Sequence, residues 1–410
     1  MRIAAVIAGT LAAACGVDVE NDATLAPPAL PPPAHDGQDT SVESLRALGY
    51  ADWDDTATED RATVTVHVPG RVQAWPRAWA DDRDLVHVID VDGAPLRTIT
   101  VPGRTQVEFA RFLQGGRIAC VSVDEGLTLL ESDGALVWHF DAAGHHDVAV
   151  LPDGRPPGQR TFALAVHGAR EWHGRQVRFD EVVFVDERTG RLSASLPTWS
   201  SFAHRESLLE LAGRDHPLDR RAAEEREGEA GSPTTIYDYF HLNSIAFEGA
   251  GTMLVCLRNV DLVAWIDLET GVPGRGVGPG VLDWPHAPAL VVRDGTPGLL
   301  AFDNGYHRGW SRALEVDSTS GEVLWEYRGT AADPLFSATR GFVQRLPNGN
   351  TLITESERGR ALEVTDDGEV VWEFWNPETR EAPDGRVRRR IYRMTAVPPQ
   401  AAPAGVGQGR

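Results

Sequence analysis

The chain has 410 residues, with 39 basic against 60 acidic side chains and a formal net charge of −21; every basic residue is Arg and none is Lys. That excludes the lysine of a phosphate-binding loop, the strand lysine of a protein kinase and any Schiff-base amine, and the acidic balance argues against nonspecific nucleic-acid binding, which needs a basic face. With 42% hydrophobic residues, 41 Gly and 27 Pro, the chain can bury a sizeable core and make many turns, as two or three domains or as one large all-β domain.

Residues 1–15 read as a signal peptide. Met1-Arg2 is a minimal charged start, and the uncharged run Ile3 to Ala14 suits an h-region but is too short to span a bilayer. The run ends Leu11-Ala12-Ala13-Ala14-Cys15-Gly16, which resembles a lipoprotein signal with Cys15 as the lipidated residue; the alternative is ordinary secretion with cleavage near Ala14. Either predicts export to the periplasm or cell surface, with the membrane engaged through a lipid anchor only. Residues 16–60 form an acidic, Pro-rich tether with a short helix over Ser41 to Tyr50. Cys120 and Cys256 sit in apolar runs that read as buried strands, and a disulfide between them stays open.

From residue 61 to 400 one pattern recurs: Asp, two or three residues, Gly, then an apolar run ending in Trp or an equivalent. It appears in DVDGAPLRTI (90–99), ESDGALVWHF (131–140), DERTGRLSAS (186–195), DLETGVPGRG (267–276), DSTSGEVLWEY (317–327) and DDGEVVWEF (366–374). Hairpins with turns such as LPDG, VRDG and LPNG precede most copies. A repeat of roughly 40–50 residues predicts an all-β, six-bladed β-propeller of four-stranded antiparallel blades. The expected blades are 62–104, 105–142, 143–197, 237–278, 283–329 and 337–376, and a last strand around Arg389 to Val397 should close the ring on an early blade. Trp138, Trp325 and Trp372 are expected between blades, as core. Residues 200–236 are a charged insertion and 401–410 a flexible tail.

In a propeller the first strand of each blade lines the channel, so the start of strand one and the end of strand two share a face. Aligning the blades brings His145/His146, His241, His286 and Arg340 to strand-one starts, with His167, Arg258-Asn259, Asp303-Asn304 and Glu355-Ser356 at strand-two ends. His241 to Arg258 and His286 to Asp303 are both 17 residues, which supports the register. Arg312 follows on the same face. The His-His-Asp run could ligate a metal, but Arg340 in the ring would repel a cation, so no metal is expected. Arg offers a bidentate fork to a tetrahedral oxyanion, and His supplies a nucleophile or an acid–base group. Together they favour transfer or hydrolysis of a sulfate or phosphate ester.

The series HLNSIAF, LVCLRNVDLVAWIDLETG, GLLAFDNG, SRALEVD, GEVLWEYRG, VQRLPNGNTLITES and EVTDDGEVVWEFWNP closely resembles the bacterial arylsulfotransferases that do not use PAPS. The resemblance is strong over 237–377 and extends weakly to 140 through HHDVAVLPDG. It implies a six-bladed propeller that moves a sulfuryl group from an aryl sulfate donor to a phenolic acceptor through a sulfohistidine, without a cofactor. By motif it implies catalytic roles for His241, His286 and Arg312 and substrate contacts from Asn243 and Asn304; the blade alignment adds Arg258, Asn259, Arg340 and His146 as expected substrate contacts. It also implies a nucleophilic His at the start of the last full blade, where FSATRGFVQRLPNG (336–349) has none. Either His241 or His286 then takes that role, or the branch uses another chemistry, or the protein is a non-catalytic propeller lipoprotein that scaffolds or binds an anionic ligand. A hydrolase using water in place of the acceptor is the third reading.

Overall fold

The computed structural model describes residues 64–172, 175–202, 226–227, 233–234, 236–330, 333–382, 385–403 and 405–406. The signal, Cys15, the tether and most of the charged insertion lie outside them. No helix among the described residues is long and apolar enough to cross a membrane. The chain folds into six antiparallel sheets arranged as blades of a propeller.

Blades two to six each run outward from the channel in chain order. Blade two is Val107–Phe112, Ile118–Ser122, Gly126–Leu130 and Leu136–Phe140. Blade three is Gly144–Val150, Thr161–Val166, Glu181–Asp186 and Arg191–Pro197. Blade four starts at Leu242–Glu248, blade five at Pro285–Arg293 and blade six at Phe342–Arg345. Strands two and three read as nearly unbroken apolar runs because neighbouring blades cover both their faces. Thr161–Val166 and Leu262–Asp267 show this, whereas strand four meets solvent at the rim, leaving Leu136 51% exposed.

Blade one corrects the expected span of 62–104. Only Arg77–Ala80, Leu85–Ile89 and Pro95–Thr100 belong to it, and its inner strand is Thr395–Ala396, paired through Arg77↔Ala396 and Ala78↔Thr395. Val64–His67 instead joins blade six as a fifth, outermost strand against Val370–Trp375. The Asp-x-x-Gly turn always joins strands three and four, so the turn at 90–93 leaves room for only one hairpin before it. Val64–His67 and Thr395–Ala396 thus close the ring, one outside and one inside, covering edges that would otherwise offer unpaired backbone.

The repeat has a local cause. In four of the six turns, at Asp90, Asp186, Asp267 and Asp317, the Asp caps its own loop: Asp267 accepts from the backbone of Glu269 and Thr270 at 3.0 and 2.8 Å, and Asp317 from Thr319 and Ser320 at 2.7 and 2.8 Å. The tryptophans are inter-blade clasps. Trp138 donates its indole N–H to Glu187 O at 2.7 Å, Trp325 to Asp366 O at 2.8 Å and Trp372 to Val91 O at 2.7 Å, each reaching the Asp turn of the next blade. Gly190 is required there, since it has φ +64° and an added Cβ would lie 2.8 Å from the Trp138 ring. Cys120 and Cys256 are buried and unpaired.

Blade three carries an extra hairpin, Ala169–Trp172 with Arg175–Arg178, between its second and third strands. Ile236–Asp238 runs parallel to Arg175–Arg178, and Phe179, Phe202 and Phe240 pack beside it with Tyr239. This layer sits on the face where strand one begins. It fixes Asp238 and the chain entering blade four.

Candidate active site

The inner strands are irregular where they begin. Register shifts lie between Val107 and Phe109, between Leu242 and Ser244, and between His286 and Ala289, and the blade-three pairing also shifts between Leu164 and Val166. Such bulges re-aim side chains. His146, His241 and Arg340 hold equivalent places in three blades and all have positive φ, at 57°, 51° and 62°. A left-handed backbone costs a non-glycine residue roughly 1–3 kcal/mol, a strain that collects where side-chain aim matters.

The histidines touch in a chain. Asp238 Oδ2 accepts from His241 Nδ1 in a short contact. His241 Nε2 lies 3.1 Å from His146 Nε2, and His146 Nδ1 lies 2.8 Å from His145 Nδ1. His145 Nε2 is 3.5 Å from Asp180 Oδ1, and His167 Nδ1 reaches the same oxygen at 3.2 Å. The other oxygen of Asp180 accepts from the backbone of Leu242 at 2.6 Å, tying blade three to the start of blade four. Glu108 Oε2 accepts from the backbone N–H of His146 at 2.7 Å.

His286 stands apart from this chain and is better defined. The amide nitrogen of Asn304 donates to Ser337 O at 2.7 Å and to Arg340 O at 2.6 Å, which turns its oxygen toward His286. His286 Nδ1–H therefore donates to Asn304 Oδ1, at 2.7 Å, and the Nε2 lone pair has no hydrogen-bond partner among the described residues. Asn243 Nδ2 donates to Pro285 O at 2.8 Å, pinning the backbone just before His286. Arg258 donates to Asn259 Oδ1 at 2.9 Å and lies 4.4 Å over the Trp284 ring, while Tyr306 stacks on Trp284 at 4.0 Å.

Charge divides these rings. Burial first, then His241, His145, His286 and Arg393, hold His146 well below the ordinary imidazole value. Burial and then Arg258 hold His286 well below it, against the pull of Asn304. His241 is lowered by burial and Arg258, with Asp238 opposing. His145 moves upward: burial opposes its charge, but Asp180 outweighs burial, with Glu108 and Asp238 adding. Asp180 itself lies well below the ordinary carboxyl range, because His145 and His167 overcome its burial.

Arginines and shared carboxylates complete the layer. Glu357 sits between Arg340, at 3.1 Å, and Arg390, at 2.7 Å. Asp147 sits between Arg111, at 3.3 Å, and Arg393, at 3.2 Å, and also accepts from Ser244 Oγ at 2.8 Å. Six buried polar atoms here, His145 Nε2, Asp238 Oδ1, Asn243 Oδ1, Arg340 Nε, the Tyr392 hydroxyl and Arg393 Nε, have no hydrogen-bond partner among the described residues; such atoms are rare away from functional sites. On the other side of the Asp147–Arg393 layer the channel widens into a cavity of about 600 Å³, lined in part by Phe109, Phe247, Phe342, Arg111 and Arg345.

Of the residues singled out in the sequence, His146, Asn243, Arg258, Asn259, His241, His286, Asn304 and Arg340 come to this one mouth. Arg312 does not join them. Its Nε donates to Asp303 at 2.7 Å, and its terminal nitrogens to Glu326 at 3.1 Å and Val281 O at 2.8 Å, all acceptors of its own or the adjoining structure. Arg312 opens the third strand, two strands outward from the one that lines the channel, so sharing a face with the histidines does not give it their radial position. Asp180, Asp238, Glu108 and Arg393 escaped the sequence reading. Placing the closing strand in the blade alignment would have found Arg393; Asp180 and Asp238 adjoin insertions, where the repeat gives no register.

Among the described residues three groups bring metal-type ligands within 4.8 Å: His145 with His167 and Asp180, Asp81 with His87 and Glu378, and Asp261 with Asp283 and His307. The first is shaped for hydrogen bonds. Its two rings stack face to face at 3.9 Å and 12°, so their in-plane lone pairs run nearly parallel and do not meet at one ion about 2.1 Å from both. In the second, Arg83 already bridges Asp81 and Glu378, at 2.5 Å each. In the third, Asp283 accepts from His307 Nδ1 at 2.8 Å and from the Arg308 backbone at 3.0 Å.

Residues 204–377 match the family model described as Arylsulfotransferase (ASST). No curated protein matches the chain. Among solved structures it is similar to a protein of unknown function from Bacteroides caccae (15% identity over 74% of this chain and 94% of that one, TM-score 0.47). It is also similar to the WD40 β-propeller domain of Doa1 (12%, 73% and 73%, TM-score 0.41). A third is the dihydro-heme d1 dehydrogenase NirN in complex with DHE (15%, 91% and 88%, TM-score 0.42). The matched segment holds blades four to six, with His241, His286, Asn304 and Arg340, and over that segment the chain resembles the arylsulfotransferases.

Proposed function

We propose that the protein transfers a sulfuryl group from an aryl sulfate ester to a phenol in two steps, with His286 Nε2 as the nucleophile. The observation that carries this reading is the His286–Asn304 pair. A tautomer fixed at Nδ1 by an amide that is itself pinned by two carbonyls leaves one bare lone pair, on a ring that burial and Arg258 keep neutral. Low basicity suits a group that must also leave, because the N–S bond it forms has to break again in the second step.

In the first step His286 Nε2 attacks sulfur in line and the S–O bond to the phenolate breaks. The leaving oxygen takes the proton held between the Nε2 atoms of His146 and His241. Arg258 and Arg340 supply positive charge for the sulfuryl oxygens. The acceptor phenol then attacks the sulfohistidine and returns its proton to the same pair. Asn243 and Asn259 hold His286 and Arg258 in place through Pro285 O and a side-chain contact. The proposal extends to export and to anchoring through Cys15.

Intact mass spectrometry after adding donor alone tests the reading. A single sulfuryl adduct is expected on the native protein and none on His286→Ala. An adduct that survives His286→Ala moves the nucleophile to another residue. No adduct on the native protein with any aryl sulfate favours a non-catalytic anion binder, for which Arg340 stands where the resemblance implies a histidine.

A further inference from the structure

We propose that the buried His145–Asp180 pair stores a proton and delivers it through His146 to the reacting oxygen. The inference rests on the transferase reading for its use, but the store itself is a property of the resting protein.

The geometry around His145 carries it. The chain Asp238, His241, His146, His145 has three hydrogen-bonded gaps, the first in short contact and the next two at 3.1 and 2.8 Å, and it ends with His145 Nε2 3.5 Å from Asp180 Oδ1, an ion-pair distance without a hydrogen bond. Three neutral imidazoles fill the three gaps but leave the His145 Nε2 lone pair bare and buried beside a carboxylate. One extra proton on that nitrogen removes the bare lone pair and turns the contact into a buried ion pair, with His145 as an imidazolium.

The surroundings choose the ring. His145 is 2% exposed and faces Asp180, with Glu108 and Asp238 next nearest; His146, by contrast, is flanked by His241, His286 and Arg393. His167 stacks on the other face of His145 and shares Asp180 Oδ1. With the charge on His145, each hydrogen bond has one direction. His145 Nδ1–H donates to His146 Nδ1, His146 Nε2–H to His241 Nε2, and His241 Nδ1–H to Asp238.

The proton balance closes over a cycle. The leaving phenolate takes the Nε2 proton of His146, and His146 Nδ1 takes the Nδ1 proton of His145, which becomes neutral. In the second step the acceptor phenol protonates His146 Nε2, and the Nδ1 proton returns to His145. No water need enter the mouth, where it would hydrolyse the sulfohistidine. His145 and Asp180 act through His146 and are positioning residues.

Two measurements test the store. The first is nitrogen NMR of histidine-labelled resting protein near neutral pH. His145 is expected as an imidazolium while His146 and His241 are neutral, and Asp180→Asn should shift His145 toward the neutral form; a neutral His145 in the native protein overturns the proposal whether or not the protein turns over. The second is a leaving-group series with His145→Gln and Asp180→Asn. Donors that release phenols with pKa about 10 should lose roughly a hundredfold in kcat/KM, while strongly acidic nitrophenol donors, which need no proton, should change less than about threefold. An equal loss across the series marks a structural role and refutes delivery. A stoichiometric metal in the purified protein, held by His145, refutes the store as well.

Discussion

Replacing Asn304 by Leu should separate scaffolding from chemistry at the centre of the site. The side chain keeps its approximate volume but loses three hydrogen bonds, to His286 Nδ1 at 2.7 Å, Ser337 O at 2.7 Å and Arg340 O at 2.6 Å. The first two lie in a buried setting and the third in a part-buried one, so at about 1 kcal/mol net for each the protein should lose about 3 kcal/mol, with the stranded carbonyls setting the upper end. Urea unfolding followed by tryptophan fluorescence measures the loss, and sulfuryl labelling by donor alone should slow because nothing then fixes the proton on Nδ1. Asn304→Asp refines the test. It keeps an acceptor for His286 but aims a second oxygen at two carbonyls, so relative to the native protein it should recover stability as pH falls and the carboxyl gains a proton to donate. A loss below about 1 kcal/mol in the Leu variant, or no relative gain on acidification in the Asp variant, would refute the pinned-amide account.

Trp138→Phe should cost about 1 kcal/mol in thermal unfolding, the worth of the indole hydrogen bond to Glu187 O, and leave labelling by donor unchanged; a neutral result removes the clasp from the account of blade packing. The buried rings also set a pH dependence. His146, His241 and His286 are all depressed, so the unfolded chain binds more protons than the native one as pH falls through the ordinary imidazole value of about 6.5. His145 works in the other direction, since its raised pKa gives stability that is present below the unfolded value and lost as pH rises through the folded one. His139 and His167 are depressed as well and His307 is raised, so with five rings against two the urea midpoint should fall from pH 7.5 toward 5.5, and a rising midpoint would contradict the placement.

The blades were legible because their signals are local. An Asp that caps its own turn, as Asp267 and Asp317 do, needs only neighbours within three residues, and the Trp that follows meets the same feature one blade on. His241 and His286 were legible through equal spacing to strand-two ends, and His146 through the same blade alignment. The closing strand around Arg389 to Val397 was legible too, but the bounds of blade one were not, because the strand at 64–67 before it joins blade six instead. Arg312 shows the second limit. Alignment along a strand fixes height in the channel but not distance from its axis, and its guanidinium is consumed by Asp303 and Glu326. Protonation shows the third: His145 and His146 are adjacent in sequence yet shift in opposite directions, because burial depresses His146 with four cationic or cation-forming groups adding to it, whereas Asp180 outweighs burial at His145.

The all-arginine composition acquires a structural consequence at this mouth. Two carboxylates each serve two guanidinium groups, Glu357 for Arg340 and Arg390, and Asp147 for Arg111 and Arg393. Each trio keeps one positive charge in excess while every carboxylate stays satisfied. Lysine would manage this poorly. Arg393, 2% exposed, spends one nitrogen on Asp147 and another on Asn243 O at 2.7 Å while its plane lies 4.9 Å from Phe109 and 5.1 Å from Tyr392, a combination of planar stacking and forked donation that an ammonium does not offer. A chain of net charge −21 can thus repel anions at long range and still hold positive charge where blades meet. Screening is weak there because the groups are buried, so added salt should weaken long-range repulsion more than local attraction. The rate of labelling by an anionic donor should then rise modestly with ionic strength before falling, and a monotonic fall from low salt would place the dominant field at the mouth instead of the acidic shell.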